Sequence, residues 1–431
     1  MAPAQQTHFA DRVRERRVGP CRLLTLETPI EEVVSWRGSF LTEPDFAAGD
    51  DLRQELVVAL LDKGTKQHDR FELARLLEDR GVELTLSSDG LYVDLSGRAL
   101  RADVPDVLGV VAEMLFEPLF DPDEFEKAKA QLAAQLQREM ENTGVQASGA
   151  LARALYPPAH PNYSPPPEEQ LAELEAITLD EIRAYHQAHF GANDFILVFV
   201  GDLVDGAIEA AVEEHFAGWT PHEAPSTYAA EARAPENGRS AVQMPGKANI
   251  DVRMGHPLRV RRDDDDYLPL YVANYILGGN FSARLMATIR DEMGLTYGIN
   301  AGLSGISTRY DGHWQVGVTL SRENLERGIE ATRAEVARFV EEGATEEELA
   351  AKKTTITGSY TVGLATTRRL AQSILTNAER GFDVGYLDRF PHLVEALTLD
   401  EVNAAVRRHF APERFHLALA GAVAELAAQE S

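Results

Sequence analysis

The chain is written twice, which restricts it to folds with two similar halves. ITLDEIRAYHQAHFGANDFILVFVGDL, starting at Ile177, aligns without a gap on LTLDEVNAAVRRHFAPERFHLALAGAV, starting at Leu397. Thr178, Asp180, Glu181, Ala184, His189, Phe190, Phe195, Leu197 and Gly201 recur as Thr398, Asp400, Glu401, Ala404, His409, Phe410, Phe415, Leu417 and Gly421. Each copy predicts a helix capped by its threonine, a short turn, and a strand covered on both faces, FILVFV or FHLALA.

Earlier parts of the halves correspond more loosely. FELARLLEDRGVELTLSSDGLYVDLSG has helix spacing up to Gly81, alternates at Val82, Leu84 and Leu86, and turns at Ser88-Asp-Gly into Leu91, Val93 and Leu95. That pattern predicts helix, strand, hairpin and strand. The second half offers SARLMATIRDEMGLTYGINAGLSG and then HWQVGVTL, and helices follow in both as DEFEKAKAQLAAQLQREM and EEELAAKKTTITGSY. A length of 431 residues is too great for one core. The expected fold class is α+β: two homologous α/β sandwich halves, each an antiparallel-rich sheet packed with helices. Residues 1–217 form the first half and 241–431 the second. The stretch 218–240, rich in proline, alanine and polar residues, reads as a linker.

Composition removes several classes of function. With 69 acidic and 42 basic residues the formal charge is −27, so nucleic acid and anionic membrane are not expected partners. No apolar run is long enough to span a bilayer. The start, MAPAQQTHFADRVRERR, lacks the apolar run of a signal peptide, and a cytoplasmic location is expected. The single cysteine, Cys21, allows neither a disulfide nor a thiolate cluster and is expected to be buried and inert. Among twelve histidines only His186 and His189 stand at helical ligand spacing. Because His189 recurs as His409, a structural role is expected. The aspartates of RVRRDDDDYLPLY are expected to cap the helix that follows.

DKGT at Asp62, HPNY at His160 and LGGNFSARLMATIRDEMGLTYG from Leu277 occur in this order. With the duplication, the series resembles the insulinase/pitrilysin-like metallopeptidases, the inverzincins, over nearly the whole chain. It looks closest to the small bacterial members and the mitochondrial processing peptidase subunits. That chemistry requires H-x-x-E-H on a helix: two imidazoles one turn apart bind Zn²⁺ and the glutamate activates the bound water. A further glutamate ligand comes from a later helix. Aligned on DKGT, the motif falls on Glu55-Leu-Val-Val-Ala59. Glu55 and Ala59 replace the histidines, Val58 replaces the general base, and the later ligand falls near Gln135. Valine and alanine offer no lone pair, so the resemblance implies a frame kept without its metal, and no cofactor in this chain.

The resemblance also implies an arginine and a tyrosine seven residues apart in the C-terminal half, here Arg290 and Tyr297. SARLMATIRDEM reads as a helix with Leu285 and Ile289 on one face and Arg290 at its edge. Gly294 suits the C-cap, and Tyr297 opens the following strand. A tyrosine hydroxyl can donate to a developing oxyanion, and an arginine fork can hold a peptide carbonyl. Pairing of Arg290 with Asp291 or Glu292, and packing of Tyr297 at a strand end, is the plainer alternative. The expected function is that of a zinc-free subunit of a heterodimeric metallopeptidase, lending Arg290 and Tyr297 to a homologous partner that carries H-x-x-E-H and zinc. The substrate would be a peptide or small unfolded protein. The alternative is a catalytically inactive peptide-binding or assembly module of the same fold.

Overall fold

The computed structural model describes residues 8–42, 50–222, 228, 230–233 and 238–423. Of the expected linker 218–240, residues 223–227, 229 and 234–237 lie outside the described residues. The first sheet contains β1 (Arg14–Val18), β2 (Cys21–Glu27), β3 (Val33–Leu41), β4 (Glu83–Ser88), β5 (Tyr92–Leu100) and β6 (Ile196–Gly201). They lie in the order β1-β2-β6-β3-β5-β4. The second contains β7 (Arg239–Gln243), β8 (Asn249–Leu258), β9 (Ile299–Ser304), β10 (Gly312–Ser321) and β11 (His416–Gly421), in the order β7-β11-β8-β10-β9. Each has one parallel pair, β2 with β6 and β7 with β11, and its other pairs are antiparallel. Exchanging β2 for β7, β6 for β11, β3 for β8, β5 for β10 and β4 for β9 converts one order into the other; β1 is an added edge. The α+β architecture in two duplicated sheets is the one expected.

The identities shared by the repeats mark positions the fold cannot vary cheaply. Thr178 and Thr398 each close a capping box: the threonine hydroxyl accepts from the N3 amide at 3.3 Å, and Glu181 or Glu401 accepts from the cap amide at 2.7 Å. Phe195 and Phe415 are buried at the starts of the covered strands. Gly201 and Gly421 both have φ 152°. A Cβ there would meet the Val33 carbonyl oxygen at 2.2 Å or the Asn249 carbonyl oxygen at 2.9 Å, so only glycine ends these strands without displacing a neighbouring strand.

The compact units do not follow the chain order of the repeats. Met1–Ala134, Gln170–Pro225 and Ser359–Phe390 form one; Gln135–Glu169, Ser226–Gly358 and Pro391–Ser431 form the other. The helix Thr367–Glu379, from the C-terminal repeat, packs on β6 and β3 of the first sheet. Its Leu370, Ala371, Ile374 and Leu375 share a core with Leu24, Leu26, Ile196, Val198 and Val200. The helix Thr143–Leu155, from the N-terminal repeat, packs on β7, β8 and β11 of the second sheet, where Ala147 and Leu151 meet Ala420 and Ala418. Each sheet is thus covered by the other repeat's helix.

Three large side chains from the first helix, Leu370, Ile374 and Leu375, contribute about 5–9 kcal/mol by burial alone, comparable with a whole domain's net stability. Separate expression of 1–217 and 241–431 is therefore expected to give no cooperative thermal transition from either piece, whereas co-expression restores one. Differential scanning calorimetry of each piece and of the mixture checks this; a sharp transition from 1–217 alone would contradict it.

Candidate functional site

The helix Asp50–Leu60 carries the positions to which the sequence resemblance assigns the metal motif. Leu56, Val57, Val58 and Leu60 are buried in the core of the first unit. Gln54, only 1% exposed, donates to Thr42 Oγ1 at 2.5 Å and accepts from the Gly90 amide at 2.9 Å. Glu55 is half-buried and Ala59 is exposed. Gln135 is exposed on the helix Pro122–Met140 and donates to Glu139 Oε1 at 3.2 Å. DKGT after the helix is structural: Thr65 accepts from the His68 amide at 3.0 Å and bonds Glu113, which also meets His68 Nδ1 at 3.0 Å. Among the described residues no three His, Cys, Asp or Glu side chains form a set fit for a metal ion. Pattern reading missed Gln54, since a lone glutamine between apolar residues gives no sign of a buried clamp.

The other expected roles divide. His186 and His189 bind separate backbone carbonyls, Leu115 at 2.8 Å and Thr42 at 3.0 Å, and His409 meets Asp266 at 2.7 Å. All three are structural. Cys21 is fully buried, and burial pushes its thiol up to about 12. The aspartates before Tyr267 do not cap. Asp266 stands at the N-cap in a helical conformation without a cap bond, because its carboxylate is held by Arg408 and His409 instead.

Arg290 lies on a π-helix, Met286–Glu292, where an α-helix was expected. The wider turn still buries Leu285 and Ile289 and leaves Arg290 exposed, 3.8 Å from Asp291 Oδ1. Such turns are rare and recur at functional sites. Gly294 takes φ 63°, as a terminating glycine does. Tyr297 does not open the strand: it sits in a bend two residues before β9 and is 99% exposed. The bend is fixed by the buried Thr296 beside it, whose hydroxyl donates to Thr319 O at 2.6 Å and accepts from the Gly298 amide at 3.1 Å. Tyr297 lines a groove of about 450 Å³ with Gly278, Gly279, Phe281 and Met286. Arg290 is not on its wall.

HPNY forms a buried polar cluster in the second unit. His160 Nε2 meets Asp311 Oδ1 at 2.9 Å, its Nδ1 accepts from the Asn162 amide at 3.0 Å, and its ring stacks on Tyr156. The Tyr156 hydroxyl and His313 Nδ1 share a hydrogen bond at 2.7 Å. His160→Ala strands Asp311 and is expected to cost about 2–3 kcal/mol, read as a lower denaturant midpoint. Burial holds His313 down to about 4, whereas the unfolded chain protonates it near 6.5. Below about 6.5 the unfolded state binds the proton first, so this contribution to stability is full above 6.5 and is lost towards pH 4. A His313→Asn variant is expected to show a shallower fall in melting temperature across that window than the parent chain.

Comparison with known proteins places these features. The family model described as Insulinase (Peptidase family M16) matches residues 56–157, and that described as Peptidase M16 inactive domain matches residues 176–356. The chain belongs to the insulinase (M16) peptidase family. An uncharacterized zinc protease of Streptomyces coelicolor is 22% identical over 360 residues, covering 81% of this chain and 76% of that protein. A non-peptidase homolog of Helicobacter pylori is 21% identical over 362 residues, covering 82% and 81%. A crystal structure of a peptidase M16 inactive domain from Pseudomonas fluorescens shares the fold with a TM-score of 0.84 at 24% identity, covering 95% of this chain and 98% of that one. Together these comparisons make the chain an inactive member of the M16 family.

Proposed function

We propose that this chain is the zinc-free subunit of a two-chain M16 peptidase, presenting Arg290 and Tyr297 to a homologous partner that carries H-x-x-E-H and its zinc. The observation that carries the reading is the posture of Tyr297. A tyrosine kept for packing buries its ring, whereas this one stands 99% exposed on a bend that a buried threonine holds rigid. A rigid, exposed hydroxyl suits donation to an oxyanion formed on a substrate held by another chain. Arg290, also exposed and, among the described residues, paired only at 3.8 Å with Asp291, is available to a peptide carbonyl. Neither residue supplies a nucleophile, so hydrolysis belongs to the partner.

The second reading, a peptide-binding or assembly module without any cleavage, draws on the Helicobacter relative, which is named a non-peptidase homolog. One experiment separates them. The chain is mixed with a zinc-bearing M16 homologue and a fluorogenic peptide, and cleavage is compared with that of each protein alone. A gain on mixing is expected. Tyr297→Phe is expected to lower kcat of the mixture about 10²–10³-fold while moving the chain's own stability by less than about 0.5 kcal/mol. No gain on mixing, or a gain that survives changing both Arg290 and Tyr297 to alanine, overturns the heterodimer reading.

A further inference from the structure

Three helices of the first unit end against one cavity. The carboxyl ends of Val104–Phe116, Leu179–His189 and Ala207–Phe216, with the turns that follow them, enclose a space of about 790 Å³. That is within the range that holds small organic ligands. Phe116, Phe120, His186, Phe190 and Trp219 are on its wall. Their rings touch one another: His186 lies 5.3 Å from Phe120 and 5.0 Å from Phe190, and Phe116 lies 5.3 Å from Trp219, centroid to centroid. Phe116 and Trp219 are only partly buried, so the wall offers aromatic surface to an occupant.

Which polar groups on this wall are already committed decides the chemistry of that occupant. Donors of the chain close several backbone carbonyls: Arg183 donates to Phe120 O at 3.3 Å, Trp219 Nε1 to Phe190 O at 3.4 Å, and His186 Nε2 to Leu115 O at 2.8 Å. A carbonyl only accepts, so the bond that makes His186 structural also fixes its proton on Nε2. Burial holds this imidazole below its ordinary range and therefore neutral at pH 7. Its Nδ1 is then a bare lone pair. It has no partner among the described residues and is not sealed from solvent. Both cations of the rim are paired, Lys66 with Glu117 at 3.5 Å and Arg183 with Asp180 at 3.0 Å. Glu214, also on the rim, has no ion pair or hydrogen bond among the described residues. Gln187 and His215 can play either part. The uncommitted lone pair and the uncommitted charge are thus both acceptors, and the negative ends of three helix dipoles add to them. An anion is disfavoured, and a metal ion finds no ligand set among the described residues. A flat aromatic ring matches the walls, and an N–H on its edge matches His186 Nδ1.

We propose that this cavity binds a planar aromatic small molecule carrying an N–H donor, its ring against Phe116 and Trp219 and its N–H on His186 Nδ1. The site uses neither Arg290, Tyr297 nor a zinc-bearing partner, so it stands or falls apart from the heterodimer reading. The test is titration of the full chain with indole, N-methylindole and cyclohexanol, followed by calorimetry and by nitrogen–proton correlation spectra of the tryptophan side chains. The chain has three tryptophans, of which Trp36 and Trp314 are 2% and 0% exposed, so the Trp219 signal is the one expected to move. N-methylindole keeps the ring and lacks the donor, and is expected to bind about tenfold more weakly than indole, the scale of one hydrogen bond. Cyclohexanol keeps a donor and lacks the flat ring, and is expected to lose at least about tenfold as well. His186→Phe keeps a ring and removes Nδ1, and is expected to bring indole down to the affinity of N-methylindole. Indole binding no more tightly than N-methylindole or cyclohexanol, binding that leaves the Trp219 signal unmoved, or no binding by indole overturns the proposal. The ligand series on the unaltered chain decides even if the His186 variant, which also strands Leu115 O, fails to fold.

Discussion

Everything in this fold depends on a helix that each repeat gives away. A sheet with one apolar face is unstable until that face is covered. Here Leu24, Leu26, Ile196, Val198 and Val200 find their cover in Thr367–Glu379, while Ala418 and Ala420 find theirs in Thr143–Leu155. The chain must reach the C-terminal repeat before its first sheet is complete. Contacts of such sequence separation slow folding, and they bind the two repeats into one thermodynamic system. Either repeat is then free to lose local chemistry, because the burial that stabilises it is supplied from elsewhere in the chain.

Much of this was legible in the sequence, for a definite reason. Capped helices, a hairpin and doubly covered strands have local signatures, and the repeat supplied two readings of each. The exchange was not legible, and the residues show why. Ala147 and Leu151 in one helix, and Ala371 and Leu375 in the other, occupy equivalent buried places on opposite sheets. Both helices present the same alanine–leucine spacing, so apolar spacing cannot say which helix covers which. The π-turn of Met286–Glu292 was hidden for a related reason: Leu285 and Ile289 are buried in it just as they would be in an α-helix. The aspartates before Tyr267 misled because their partners, Arg408 and His409, lie far away in the chain.

At the candidate site the sequence located residues but not their postures. Glu55, Val58, Ala59, Gln135, Arg290 and Tyr297 are candidates drawn from ordered motifs, and what the structure adds is their posture. That Tyr297 stands in solvent on a fixed bend, rather than packing where a strand begins, is set by Thr296 reaching across to Thr319 on β10. Nothing in the spacing of RDEMGLTY encodes that bond.

The loss of a metal motif without loss of the helix has a physical basis in both repeats. The helix Asp50–Leu60 has its counterpart in Tyr267–Leu277, and each carries one buried amide side chain. Gln54 ties its helix to the β4–β5 turn at Gly90 and to Thr42. Asn274 donates to Ala301 O on β9 at 3.1 Å and accepts from Trp314 Nε1 on β10 at 3.0 Å. Removing either amide would strand buried donors and acceptors at a cost of about 1–3 kcal/mol each. Those bonds and the apolar face fix the helix in position, whereas positions 55 and 59 lie on its other, more open side. Substitution there changes what the helix can bind and leaves what holds it untouched, so the frame of a metal site can outlast the metal.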